Sequence, residues 1–209
     1  MGTLEPSALH GQRIRMEPLS FHHLPGLLAA ASGPRETYAL TNVPEDEPGM
    51  RRYIEVALTQ KAQGLAVPFA TVESATGTVV GSSRFGNMES WTWPEGSPKK
   101  RLRGVPDAVE IGWTWLAFSA QRTGINTESK LLMLEYAFET WEVHRVTFKT
   151  DARNERSRAA LLRLSAHFEG VLRSHLPASD GVNIRDSAYF SLVRSEWPAV
   201  KARLLAFLR

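Results

Sequence analysis

The chain has 209 residues, a length that suits one domain, and its 43% hydrophobic content is enough to build a core. Lysine and arginine exceed acidic residues by a net charge of +3, which suits an anionic partner without naming one. There is no cysteine, so disulfides, thiolate metal sites and a cysteine thioester intermediate are all excluded. No apolar run approaches eighteen residues, and the first residues lack the basic stretch and apolar block of a secretion signal. A cytoplasmic protein is therefore expected, with no membrane span.

Along the chain, Gln12 to Pro18 alternates Arg13, Arg15 and Glu17 with Ile14 and Met16, the pattern of an early strand. Ser20 is placed to cap a helix carrying Leu24, Leu27, Leu28 and Ala31 on one side. Met50, Tyr53, Ile54, Ala57 and Leu58 draw the apolar stripe of a second helix, which Gly64 ends. Two strands follow, about Val67 to Glu73 and Thr78 to Asn87, joined by the hairpin turn Ser74-Ala75-Thr76-Gly77. Gly86 to Asp107 reads as an inserted loop, rich in Pro, Gly and Trp, whose Trp91 and Trp93 either roof a pocket or simply pack. Its basic run Lys99-Lys100-Arg101-Leu102-Arg103 is too narrow for a nucleic-acid stripe with interleaved aromatics, and a solvated loop is expected.

Val109 to Phe118 is apolar and aromatic enough to be buried on both faces. A helix is predicted from about Ile125 to Trp141, with Leu131, Leu134, Phe138 and Trp141 inward. Arg145 to Asp151 alternates as a strand, and Asn154 is a good N-cap for a helix through about Ala166. Phe168 to Leu176 and Ser187 to Val193 form a hairpin, and the chain closes with an amphipathic helix over about 198–209. Strand, helices, three strands, helix, strand, helix and hairpin give one domain of the mixed α/β class. Its sheet is mostly antiparallel, with a crossover between two parallel strands.

The feature with the clearest chemistry is Gln121-Arg122-Thr123-Gly124-Ile125-Asn126, a tight turn between the buried strand and the long helix. The first amides of such a helix lack intrahelical partners and sit at the positive end of its dipole, so the turn suits a diphosphate. This turn resembles the cofactor loop of the GNAT acetyltransferases. Glu110-Ile111-Gly112-Trp113 before it, Phe148 to Ser157 after it, and Glu169-Gly170-Val171-Leu172-Arg173 further on resemble the RimJ/RimL-like branch. Asn126 and Ser165 depart from the family pattern, standing where Gly or Ala and Gly are usual.

The resemblance implies the GNAT fold: about seven strands, helices on both faces, and a V-shaped splay between the two parallel strands. It implies acetyl-CoA as cosubstrate and no metal. Backbone near Trp115 and Leu116 would meet the pantetheine, Gln121, Arg122, Thr123, Gly124, Ile125, Asn126 and Thr127 would hold the diphosphate, and Asn154 would reach the pantetheine arm. Ser157 would serve the leaving sulfur, with Glu110 first and His175 second as the candidate base. The acceptor would be an amine, either a protein N-terminus or a small molecule, and a homodimer remains open. A non-catalytic module that binds acetyl-CoA, or RNA through Lys99 to Arg103, is the competing reading.

Overall fold

The computed structural model describes residues 7–99 and 104–209. Eight strands form one sheet: β1 (Leu9–His10), β2 (Ile14–Pro18), β3 (Val67–Glu73), β4 (Val79–Glu89), β5 (Ala108–Leu116), β6 (Arg145–Asp151), β7 (His167–Pro177) and β8 (Ile184–Val193). Their order is β1-β2-β3-β4-β5-β6-β8-β7, antiparallel throughout except for the parallel β5–β6 pair. The helices are α1 (Leu24–Ala31), α2 (Glu47–Ala62), α3 (Ile125–Glu135), α4 (Glu155–Arg163) and α5 (Trp197–Leu208).

Neighbouring residues of β4 show how the layers are built. Ser82 Oγ accepts from Tyr53 of α2, whereas Ser83 Oγ accepts from Lys130 of α3. Successive strand residues face opposite sides, so α2 and α3 cover opposite faces. On the α3 face, α5 lies alongside, with Trp197 stacked on Phe138 and Lys201 paired with Glu135. Apolar residues of both sheet faces, including Phe69, Phe85, Phe148 and Phe190, are almost completely buried.

Local chemistry sets the helix ends. Asp46 caps α2 by accepting from the Gly49 N–H at 2.8 Å, and Gly64, at φ +72°, turns the chain out behind it. Before α1, the Ser20 N–H donates to His23 Nδ1 at 3.2 Å, so His23 Nε2 carries the ring proton and meets Glu17 Oε2 at 3.0 Å. Glu17, His22 and His23 lie within metal-binding range of one another, yet His23 in this tautomer has no lone pair to offer a cation.

The structure differs from the sequence expectation in several places, three of which bear on the layout. The two-residue β1 is too short to show a period. β4 runs on to Glu89, still registered with Ala108, so the loop begins later than Gly86. The long helix gives way at Tyr136 to a π-turn in which the Trp141 N–H reaches the Tyr136 carbonyl at 3.0 Å. The wider turn lets Trp141 pack on both Phe85 and Tyr136.

Ser165, after α4, has φ +63°, a backbone that favours glycine. Ser165→Gly is expected to raise the unfolding free energy by about 1 kcal/mol, although it loses the exposed Arg203 hydrogen bond. Urea unfolding checks this, and a less stable variant would contradict the left-handed backbone.

Candidate active site

β5 and β6 are registered only at Ala108–Arg145, Val109–Val146 and Glu110–Thr147. Beyond these pairs, residues 111–116 and 148–151 continue as strands without pairing to each other, so the sheet opens into a V. On its other edge β5 carries a bulge. Ser82 pairs with Trp115 and Arg84 with Gly112, leaving Trp113 and Thr114 opposite Ser83 alone. Trp113 has φ +51°, an unusual backbone for an aromatic residue and a local strain of the kind that clusters at functional sites.

The bulge is braced from the α3 side. Lys130 Nζ donates to Thr114 Oγ1 at 2.6 Å and Ser83 Oγ at 3.3 Å, and these two hydroxyls lie 2.7 Å apart. No carboxylate among the described residues pairs with Lys130, and burial lowers its ammonium from 10.5 to about 7. Lys130 stands in the same helical row as Leu134 and Phe138, and a lysine in an inward row was the available sequence signal. The folded pKa lies below the unfolded one, so the unfolded chain binds more protons from about pH 7 to 10.5. Stability therefore rises with pH through that window. Lys130→Met is expected to remove the rise, which denaturant titrations at several pH values would reveal.

At the base of the V, Glu110 is only 4% exposed. Lys149 Nζ and Asn87 Nδ2 each donate to its Oε2 at 2.8 Å. His175 lies on the same face, with Nδ1 3.0 Å from Ser187 Oγ and Nε2 3.4 Å from the Tyr189 hydroxyl. Burial first, then the charges of Lys149 and Arg185, lower His175 below its ordinary value, which favours the neutral ring near pH 7. Lys149 Nζ is 5.9 Å from the Tyr189 ring and 5.9 Å from the Trp113 ring, joining both candidate bases into one cluster.

The turn between β5 and α3 supplies the free amides. Backbone N–H groups of Arg122, Thr123, Gly124, Asn126 and Thr127 make no hydrogen bond among the described residues. The Ile125 N–H is capped by Thr123 Oγ1 at 3.2 Å, and the Gln121 N–H is held by the Phe118 carbonyl at 3.2 Å. Gln121 also braces the turn with its side chain, donating to the Leu116 carbonyl at 3.0 Å and accepting from Thr37 at 2.6 Å. Gln121 and Ile125 therefore do not join the open cradle. The Leu116 carbonyl likewise takes a second hydrogen bond, from Tyr38 at 3.0 Å, and as it stands offers the gap little.

Gly124 has an ordinary φ of −70°, whereas Arg122 takes the left-handed backbone at φ +59°. A Cβ at Gly124 would stand 2.6 Å from Arg13 Nη1, so this glycine makes room for a guanidinium against the helix start. Arg13 thus joins Arg122 as a cation beside the cradle. The sequence reading took it only as a polar strand position.

Glu128, in the first turns of α3, was missed as well. Its carboxylate accepts from the backbone N–H groups of Gln12, Arg13 and Ile14 at 2.8, 2.9 and 3.0 Å, pinning the helix to the β1–β2 turn. Glu128→Ala strands these donors and is expected to cost about 3 kcal/mol or more. Urea unfolding measures it, and a loss under about 0.5 kcal/mol would mean water replaces the carboxylate.

Across the V, Asp151 is buried and holds the backbone N–H and guanidinium of Arg153, which keeps its carboxyl below the ordinary value and shapes the turn into α4. Asn154 Oδ1 accepts from the Ser157 N–H at 3.0 Å, the expected cap, and no hydrogen bond among the described residues engages Asn154 Nδ2 or Ser157 Oγ. Arg156 reaches from α4 to Thr37, which contacts Gln121, so one chain of hydrogen bonds crosses the mouth. Beside it a groove of about 260 Å³ is lined by Glu36, Leu40, Arg153 and Asn154. Trp91 and Trp93 lie at the closed end of the V instead. Trp91 stacks on His144, and the Trp91 N–H and Trp93 Nε1 bond to Asp107, so the pair packs rather than roofs the opening. Of the basic run, residues 100–103 lie outside the described residues. Among the described residues no helix is long and apolar enough to cross a membrane.

Residues 13–167 match the Acetyltransferase (GNAT) domain family. A protein of Bacillus subtilis (strain 168), provisionally named the ribosomal N-acetyltransferase YdaF, is 36% identical over 100 residues. That match covers 48% of this chain and about half, 53%, of the relative. A GCN5-related N-acetyltransferase from Brucella melitensis superposes with a TM-score of 0.82 at 26% identity, covering 98% of this chain and 86% of that one. Mycobacterium smegmatis RimJ, solved in complex with CoA-disulfide, shares the fold at a TM-score of 0.74 and 19% identity, over 96% of this chain and 91% of that chain.

Proposed function

The chain belongs to the GNAT acetyltransferase family, and on that premise we propose that it moves an acetyl group from acetyl-CoA directly onto a primary amine, in the cytoplasm. One observation carries the reading: the unpaired stretch of β5 and β6 opens beside a helix start whose amides are free. A diphosphate suits the amides of Arg122, Thr123, Gly124, Asn126 and Thr127, with Arg13 and Arg122 adding charge. The pantetheine then lies along the open edge of β5, within reach of Asn154 Nδ2. This agrees with the CoA compound named in the RimJ structure.

The chemistry follows from the groups around the bulge. Main-chain N–H of the bulged segment polarises the thioester carbonyl, as a preorganised oxyanion contact. Glu110, through water, or His175 takes a proton from the bound ammonium, and the neutral amine that results attacks. The amine nitrogen forms the new bond to the acetyl carbon as the carbon–sulfur bond breaks, the nitrogen gives up its extra proton to the departing sulfur, which leaves as the thiol, and the Ser157 hydroxyl hydrogen-bonds that sulfur as it departs. Without a cysteine, no thioester forms on the protein. An α-amine, with a pKa of about 8 against about 10.4 for lysine, needs less help from the base, so a protein N-terminus or a comparable small amine is the favoured acceptor. The name of the B. subtilis relative points to ribosomal proteins among such acceptors.

Thiol release from acetyl-CoA across a panel of amines and peptides tests this directly. Turnover with an α-amine is expected, and tight cofactor binding with no turnover on any amine would return the protein to the binding-module reading. Glu110→Gln is expected to lower kcat by about 10²-fold with acetyl-CoA affinity unchanged. An unaltered kcat would pass the role to His175.

A further inference from the structure

Arg84 is 3% exposed, yet no carboxylate among the described residues pairs with it. Nη1 donates to Gln60 Oε1 at 2.8 Å, and Nε is buried without a partner. The guanidinium lies between two rings, 5.3 Å from the centre of Tyr53 and 4.9 Å from that of Trp113. Aromatic faces stabilise such a cation but do not neutralise it. A buried charge is ordinarily paired, so an orphaned one calls for an explanation.

Its position supplies one. Arg84 is registered with Gly112, and a Cβ at Gly112 would stand 2.9 Å from Glu110 Oε1. The Glu110 carboxylate therefore leans over the residue directly opposite Arg84. Lys149 already pairs with that carboxylate at 2.8 Å and shares the Trp113 ring with Arg84. The cluster thus holds two cations and one anion, which leaves one positive charge over. Trp113 is 39% exposed, so Arg84 sits one side chain below the surface, next to the splay.

We propose that Arg84 recognises a carboxylate on the acceptor, whose amine is held a few bonds away at Glu110. The inference rests on the amine-acceptor reading above and narrows its substrate class to amines bearing a nearby carboxylate. A free amino acid and a peptide with an acidic second residue share this chemistry. A bidentate guanidinium–carboxylate contact would use Nε and Nη2, the edge left open by Gln60.

The test is calorimetry on the full chain saturated with CoA, using two matched pairs of probes: alanine against alaninamide, and Ala-Glu-Gly against Ala-Gln-Gly. In at least one pair the carboxylate member is expected to bind about tenfold tighter or more, and the pair that discriminates identifies the source. Arg84→Met should abolish the preference, with Arg84→Lys retaining part of it. Equal affinity within both pairs, or a preference that survives in Arg84→Met, overturns the proposal. Should neither variant fold, the Nε–H resonance of Arg84 in the wild type decides, since it must shift with the carboxylate member and not with the amide. Acetylation is scored separately: preference without turnover would contradict the transferase reading alone.

Discussion

Everything at this site depends on two parallel strands that pair for three residues and then part. In a continuous sheet, the amides and carbonyls on the β6 edge of β5 beyond Glu110 would be spent on β6. The parting leaves one edge of β5 with main-chain groups to offer an extended ligand. Neither strand could hold that arrangement alone. The bulge at Trp113 and Thr114 twists β5 away, the Lys130–Thr114–Ser83 cluster braces it beneath, and Glu128 anchors α3 so that its free amides face the opening. Part of the fold's strain and several of its buried charges thus lie around one gap.

Charge is arranged along that gap. The overall excess is only +3, but Arg13 and Arg122 stand at the helix start, and Arg84 and Lys149 lie beside the bulge. Phosphates at one end and developing negative charge at the other would both be favoured there. Among the described residues, Glu110 is the carboxylate that Lys149 pairs with, at 2.8 Å, and Glu110 is buried.

Much of this was legible in the sequence. Period-two alternation marked β6, apolar runs marked β5, and Asn154 was placed as the cap it proves to be. The turn between β5 and α3 could be placed because it needs only a strand, a helix start and a short link. What stayed hidden depends on residues distant in the chain. Gly124 was expected only at the diphosphate, but its missing Cβ also accommodates Arg13, more than one hundred residues earlier. Glu128 carries no local signal, and only the folded β1–β2 turn gives its carboxylate three donors. Gln121 and Leu116 were expected at the ligand, and in the structure they are tied to Thr37 and Tyr38 of a short 3-10 turn whose position no local pattern encodes. The bulge itself follows from register, which composition does not reveal.

Amide hydrogen exchange with and without acetyl-CoA tests the central claim most directly. In the free protein, amides of β5 that face the gap beyond Glu110 should exchange far faster than those of the paired stretch over 108–110, and acetyl-CoA should slow them together with those of 122–127. Uniform protection along β5 before ligand is added would mean that the two strands remain zipped. Protection appearing elsewhere on binding would place the cofactor outside the V. Either result would contradict the account.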